Sequence, residues 1–224
     1  MLKPRRPVAG PRSKVSRYLA AIILVAAVVA LLLPASRRGM LRAAGRSLVA
    51  ADPLASADVI VVAVDAGHAG LLQAADLVHQ GMAGRVALLA GDATPGEREF
   101  ARRGVAYEGP VAASARYLKL LGVSDVERIP SSVDGTQAEG RALLEWCTRQ
   151  QLTSVIVVSS ADHSRRLRRV LRRSMRGSPV QVRVRPSRFS SFDPDSWWLT
   201  RAGMRTQLVE TEKLLLDIAT HLWW

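Results

Sequence analysis

One cysteine in 224 residues rules out an internal disulfide and any thiolate cluster, and the only four histidines, His68, His79, His163 and His221, stand at unrelated spacings. The sequence therefore carries no metal signature. Aromatic residues make up only 5% of the chain, and no tract repeats with a period of 20 to 50 residues, so solenoids and propellers are excluded. The Gly-x-Ser-x-Gly turn of the α/β-hydrolases is missing. A Ser-His-Asp set drawn from Asp162 and His163 fails because adjacent helical residues do not face each other. Acidic residues are absent from positions 1–50, which hold ten of the 32 basic ones and leave 22 basic against 19 acidic residues in the remainder. The formal charge of +13 is thus mostly a property of the N-terminal segment, and the rest has an ordinary surface balance that argues against nucleic acid as a partner.

What the N-terminus does contain is an uncharged apolar run, Tyr18–Leu33, behind a basic tail at 1–17. As a helix this run is about 24 Å long, slightly short of a hydrocarbon core, and Arg17 and Arg37 can snorkel to make up the difference. A cleaved signal peptide shares this plan, but Pro34-Ala35-Ser36-Arg37-Arg38 offers no good small-x-small cleavage site, which favours a retained transmembrane anchor at 18–33. Six Lys or Arg residues precede the run and four follow closely, predicting a single-pass protein of the plasma (inner) membrane with its globular part extracytoplasmic. The lipid bilayer is then a partner. Residues 34–57 read as a stalk that need not be a stable helix.

From 58 to 224, β-branched apolar runs alternate with helical patterns, predicting one α/β domain: a Rossmann-like, three-layer parallel sheet of about five strands. The strands are expected at Val59–Val64, Arg85–Ala90, Val126–Pro130, Ser154–Ser159 and Val180–Val184. Helices are expected along Leu71, Ala75, Val78 and Met82, as a short piece at Glu97–Arg103, and through Ala115, Leu118 and Leu121. Further helices are expected at Thr136–Gln150, Asp162–Arg176 and Leu208–Leu222. In Asp162–Arg176, Leu167, Val170, Leu171 and Met175 face inward, Asp162 is the expected N-cap, and the arginines other than Arg166 form a solvated face. Cys147, beside Trp146 in a helical pattern, reads as a buried structural thiol.

In an open α/β sheet, ligands bind beyond the carboxyl ends of the strands, against helix N-termini. Three turns deliver polar groups there. After the fourth strand come Ser159, Ser160, Asp162, His163 and Arg166; after the third, Thr136 and Glu139, spaced as a capping box; after the first, Asp65, Gly67 and His68. His163 and Arg166 lie one helical turn apart and can address a single anion, with Ser159 and Ser160 contributing hydroxyl and backbone groups. The candidate ligand-binding set is Ser159, Ser160, His163, Arg166, Thr136, Asp65 and Gly67, for an anionic small molecule. Neither a catalytic residue nor a cofactor is specified.

Val157 to Arg166, VVSSADHSRR, resembles the SanA, ElyC and YdcF-like family of bacterial envelope proteins, a widespread domain of unknown function, and the similarity extends from about Ala57 to the C-terminus. That family has a strand, Thr-Ser, two variable residues and His-x-x-Arg; Ser159 stands for the Thr, and Ser160, His163 and Arg166 match. Thr136 matches the Thr of a turn written Asn-Thr-x-Glu-Asn, and Glu210 with Lys213 fits a late Glu-x-x-Lys, whose members either enter the site or pair with each other. The chain departs from the pattern at Asp65-Ala66-Gly67-His68 and Gly91-Asp92, where glycines are usual. It departs again at Pro110, where an acid is usual and Glu108 stands two places early, and at Ala138, with Glu139 one place late. The resemblance implies a membrane-anchored protein of cell-envelope biogenesis or barrier integrity, handling a peptidoglycan precursor, lipid carrier or surface polysaccharide. The alternative is a non-catalytic module binding a nucleotide-like or other anionic molecule.

Overall fold

The computed structural model describes residues 33–133 and 135–221, together with residues 16, 18–23 and 25. Contacts divide the chain after Ala43, and the globular body is the unit Ala44–Trp224. Among the described residues no helix is long and apolar enough to cross a membrane. Half of the expected span Tyr18–Leu33, namely residues 24 and 26–32, lies outside the described residues.

The chain order is α1 (Pro34–Arg46), β1 (Val59–Val62), α2 (Gly67–His79), β2 (Val86–Gly91), α3 (Pro95–Arg102), α4 (Pro110–Leu120), β3 (Val126–Val133), α5 (Gly135–Arg149), β4 (Ser154–Ser159), α6 (Ser164–Ser174), β5 (Gln181–Pro186) and α7 (Arg201–Thr220). One sheet of five strands, ordered β3-β2-β1-β4-β5 and parallel throughout, bears out the expected α/β, Rossmann-like class. β1 and β4 are buried on both faces, which is why they read as unbroken β-branched runs. Alternate side chains feed two cores. Val59, Val61, Val155 and Val157 pack with Leu143, Trp146, Cys147, Leu167 and Leu171 of α5 and α6, while Ile60, Val62, Ile156 and Val158 pack with Leu71, Ala74, Leu77 and Leu118 of α2 and α4.

Several expected boundaries move, each for a local reason. β1 stops at Val62 because Val64–Ala66 turn into a 3-10 helix, after which Gly67 takes φ 49°, a conformation that favours glycine. β3 runs on to Val133 through a register shift against β2 between Leu88 and Ala90. α7 begins seven residues before Leu208, where Thr200 caps it by accepting the Gly203 N–H. Leu222 to Trp224, the expected end of this helix, lie outside the described residues.

The stalk reading of 34–57 needs correction. Pro34–Arg46 is helical, and the segment after it belongs to the globular body: Leu48, Ala50 and Asp52 are buried. Leu48 C=O accepts the Arg165 N–H at 3.0 Å, and Ser164 Oγ accepts the Ala50 N–H at 2.9 Å. Backbone that looked like a spacer thereby satisfies an orphan donor at the start of α6.

The solvated-arginine reading of α6 holds only at Arg172 and Arg176. Arg168 and Arg172 pair with Asp52, Arg169 and Arg173 with Asp217 of α7, and Arg165 donates to Val49 C=O at 2.9 Å. Periodicity identified the apolar stripe correctly, but it could not reveal that two buried carboxylates from distant segments would cover the polar one. Arg172, although paired, stays exposed, as does Arg176, for which no such contact is seen among the described residues.

Candidate functional site

The sheet order changes direction between β1 and β4, so the connections that leave their carboxyl ends run to opposite faces of the sheet and leave a crevice. A cavity of about 430 Å³ opens there. Its polar lining comes from the turn after β1 (Asp65), the first turns of α5 (Thr136, Glu139), the β4–α6 turn (Ser160, Asp162, His163), Arg166 of α6, the segment before α7 (Ser190, Ser191), and α7 itself (Thr206, Glu210, Lys213).

α5 packs closely on the last turn of α6, where a Cβ at Gly140 would clash with the Ser174 side chain. Thr136 Oγ1 accepts Arg166 Nη1–H at 2.6 Å and lies 3.5 Å from His163 Nε2. Glu210 enters from α7, whose Leu214 is buried with Leu48, Ala161 and Phe192. Glu210 Oε2 accepts Arg166 Nε–H at 3.1 Å and Nη2–H at 2.9 Å and stands 3.4 Å from His163 Nδ1; Oε1 accepts Lys213 Nζ at 2.8 Å. Both expectations for Glu210 and Lys213 are therefore met at once: they pair with each other and they line the cavity.

Asp65, in the same lining, organises the β4–α6 turn. Its Oδ2 accepts the Ser160 N–H at 3.0 Å, Ser160 Oγ–H at 2.5 Å and Ser159 Oγ–H at 3.2 Å, which fixes the β4–α6 turn against the end of β1. Ser159 is fully buried and is absent from the cavity lining, so it supports Asp65 and does not face the crevice. Gly67 lines a separate cavity of about 280 Å³, between α2, β2 and α4, together with His68.

Two capping expectations are overturned. Asp162 makes no cap, for α6 starts at Ser164 and His163 occupies the N-cap position without a side-chain bond. Asp162 faces the cavity instead. Glu139 does not close a capping box with Thr136; its Oε1 accepts the Val64 N–H at 3.0 Å, bridging α5 to the turn after β1. The box that does form is Thr94 with Glu97, at the start of α3.

Burial drives the electrostatics. It pushes the Glu139 carboxyl up, with the Val64 N–H opposing and nearby Asp65 adding to the rise. It also pushes Asp162 up, partly offset by its own backbone and Ser160. Burial alone would raise Glu210 too, but hydrogen bonds from His163 and Lys213 and the Arg166 guanidinium outweigh it and hold that carboxyl at about 2. Glu210 is thus a fixed anion, while Glu139 and Asp162 are the carboxyls most easily protonated. No group of His, Cys, Asp and Glu among the described residues is placed to hold a metal ion. Cys147 is buried, and its thiol is pushed up to about 12 by burial.

Of the expected ligand set, Asp65, Thr136, Ser160, His163 and Arg166 meet at one cavity. Glu139, Asp162, Ser190 and Thr206 were not in that set. For Glu139 the available signal was the family turn's Glu one place earlier; for Ser190 and Thr206 no local pattern exists. No protein-family model matches the chain, and no curated protein matches it.

Proposed function

We propose that the protein is a membrane-anchored envelope protein whose crevice holds an anionic precursor, a phosphorylated and hydroxyl-rich molecule of peptidoglycan, lipid-carrier or surface-polysaccharide synthesis. The observation that carries the ligand class is the convergence in one cavity of Thr136, His163, Arg166 and Lys213 around Glu210, with Asp65, Glu139 and Asp162 in the same lining. Phosphate oxygens take charge-assisted bonds from guanidinium and ammonium groups such as these. The carboxyls of the lining are strong acceptors for sugar hydroxyls. Anchoring by 18–33, with the globular part extracytoplasmic, would confine such a site near lipid-linked substrates and raise their effective concentration. The arginines of α6 support excluding nucleic acid, because Asp52 and Asp217 already engage four of them.

Thermal unfolding of the full chain in detergent micelles, titrated with a hexose phosphate, tests the binding claim. A ligand at a hundredfold excess over its Kd stabilises by about 2.7 kcal/mol. Lys213→Met should weaken binding about tenfold through loss of one charge-assisted contact. An unmoved transition at saturating sugar phosphate would overturn the ligand class. Unchanged detergent and antibiotic sensitivity in a deletion strain would overturn the envelope role.

A second reading, a non-catalytic module for a nucleotide-like or other anion, draws on one observation: Arg166 and Lys213 are both already bonded to Glu210, an arrangement suited to holding charge in place. Turnover of any phosphorylated substrate by the protein eliminates it.

A further inference from the structure

Donor and acceptor bookkeeping around Thr136 leads beyond binding. Arg166 can only donate, so Thr136 Oγ1 must be the acceptor in their 2.6 Å contact, and the threonine's own proton is left to point elsewhere. Among the described residues, His163 Nε2 is an acceptor in reach of it, at 3.5 Å. Glu210, held ionised, can only accept, so in the neutral imidazole the proton sits on Nδ1 facing Glu210 at 3.4 Å, which leaves the Nε2 lone pair toward Thr136. The sequence hydroxyl, imidazole, carboxylate is thereby assembled from α5, the β4–α6 turn and α7, over chain separations of 27 and 47 residues. Both imidazole spacings, 3.5 and 3.4 Å, are long for hydrogen bonds, and shortening them to about 3 Å takes only small side-chain adjustment.

We infer that Thr136 is a nucleophile for phosphoryl transfer from a phosphate ester, with His163 as its general base, Glu210 as the group that orients the imidazole, and Arg166 as the charge that stabilises the attacking oxygen and the phosphoryl group. This rests on the anionic-ligand reading of the same cavity. In the first step the Oγ1–P bond forms and the bond from phosphorus to the ester oxygen breaks. The Thr136 proton passes to His163 Nε2; the departing oxygen, in line on the far side of phosphorus, takes a proton from water, and the imidazolium returns its proton to the hydroxide so formed, so an alcohol leaves and the imidazole is neutral again. In the second step water loses a proton to Nε2 and attacks phosphorus; the Oγ1–P bond breaks and the proton returns to Thr136. The net reaction is hydrolysis of the ester to alcohol and inorganic phosphate, or transfer where another hydroxyl replaces water. Arg166 at 2.6 Å puts a cation on the atom where negative charge would develop.

The test uses the full chain in detergent micelles with p-nitrophenyl phosphate, reading nitrophenolate release, the acid-quenched protein mass, and the rise in unfolding temperature caused by inorganic phosphate. The parent and Thr136→Ser should release nitrophenolate and carry one phosphoryl group at position 136. Thr136→Val should lose release by about a thousandfold or more and carry no adduct, while phosphate still raises its unfolding temperature. Release without an adduct dependence on position 136, an adduct mapped to another residue of the parent, or no release by a parent that phosphate stabilises would each overturn the nucleophile. Failure of phosphate to stabilise the parent at all would instead bring down the binding reading. Peptide mapping of the parent adduct decides the matter even if Thr136→Val does not fold.

Discussion

Replacing Arg166 by alanine probes the centre of the site. The side chain is only 15% exposed and makes three hydrogen bonds, two to Glu210 Oε2 and one to Thr136 Oγ1. Removing one partner of a buried ion pair costs about 3–5 kcal/mol when the other charge is stranded. Glu210 is not wholly stranded here, because Lys213 remains at 2.8 Å and His163 at 3.4 Å, and water can enter from the cavity. The loss should therefore fall near the lower end, about 3 kcal/mol, or roughly 6–12 °C in Tm for a globular unit of this size. Arg166→Ala is thus expected to damage the fold as well as ligand contact, which a sequence-based picture of a free arginine on a helix face does not predict. Chemical and thermal unfolding by circular dichroism, for Arg166→Ala, Glu210→Gln and the double variant, would measure it. With Glu210 already neutral, the second substitution should cost less, giving a coupling of at least about 1.5 kcal/mol. Strict additivity, or a loss below about 0.5 kcal/mol for Arg166→Ala, would refute the claim that these groups form one buried network.

Four further outcomes are expected. Glu210 is held at about 2, below its ordinary 4.5, so its stabilising contribution is complete above that ordinary value and disappears as pH falls toward 2; Asp217, held down by Arg173 and Arg169 against its burial, should act in the same direction, and Glu210→Gln should flatten the acid limb of the stability curve. Glu139 is raised, so Glu139→Gln, which keeps the acceptor for Val64 N–H, should unfold at a higher temperature than the parent at neutral pH, with the gap closing on acidification; a lower Tm would refute this. Because protonating Glu139 and Asp162 lowers the negative charge of the crevice, affinity for inorganic phosphate should strengthen as pH falls through their raised values, and isothermal titration at several pH values would show it. Cys147 should resist iodoacetamide in the native protein at mildly alkaline pH and react once urea unfolds the chain; fast native labelling would contradict its burial.

The fold was legible because its strongest signals are local: unbroken β-branched strands buried on both faces, separated by helices with one apolar stripe. A sheet of about five strands follows from those alone, and Ser160, His163, Arg166, Thr136 and Asp65 fall at the crevice because they follow the carboxyl ends of β4, β3 and β1. What stayed hidden depends on contacts between segments far apart in the chain. Asp52 and Asp217 meet α6 from positions 116 and 48 residues removed from their arginine partners Arg168 and Arg169, and no periodicity within α6 reports that. The capping readings of Thr136 and Asp162 failed for a related reason. A local rule assigns a threonine or aspartate at a helix start to the nearest backbone N–H, but a guanidinium from the next helix is a stronger partner for Thr136 and an acid-lined cavity surrounds Asp162. Departures from local capping chemistry are thus concentrated at the crevice: Thr136, Glu139 and Asp162 all decline the backbone bonds their spacing offers, whereas Thr94 and Glu97, away from it, accept theirs. Capping groups diverted from their own helices cost local stability, and that cost is expected where side chains are held for a ligand.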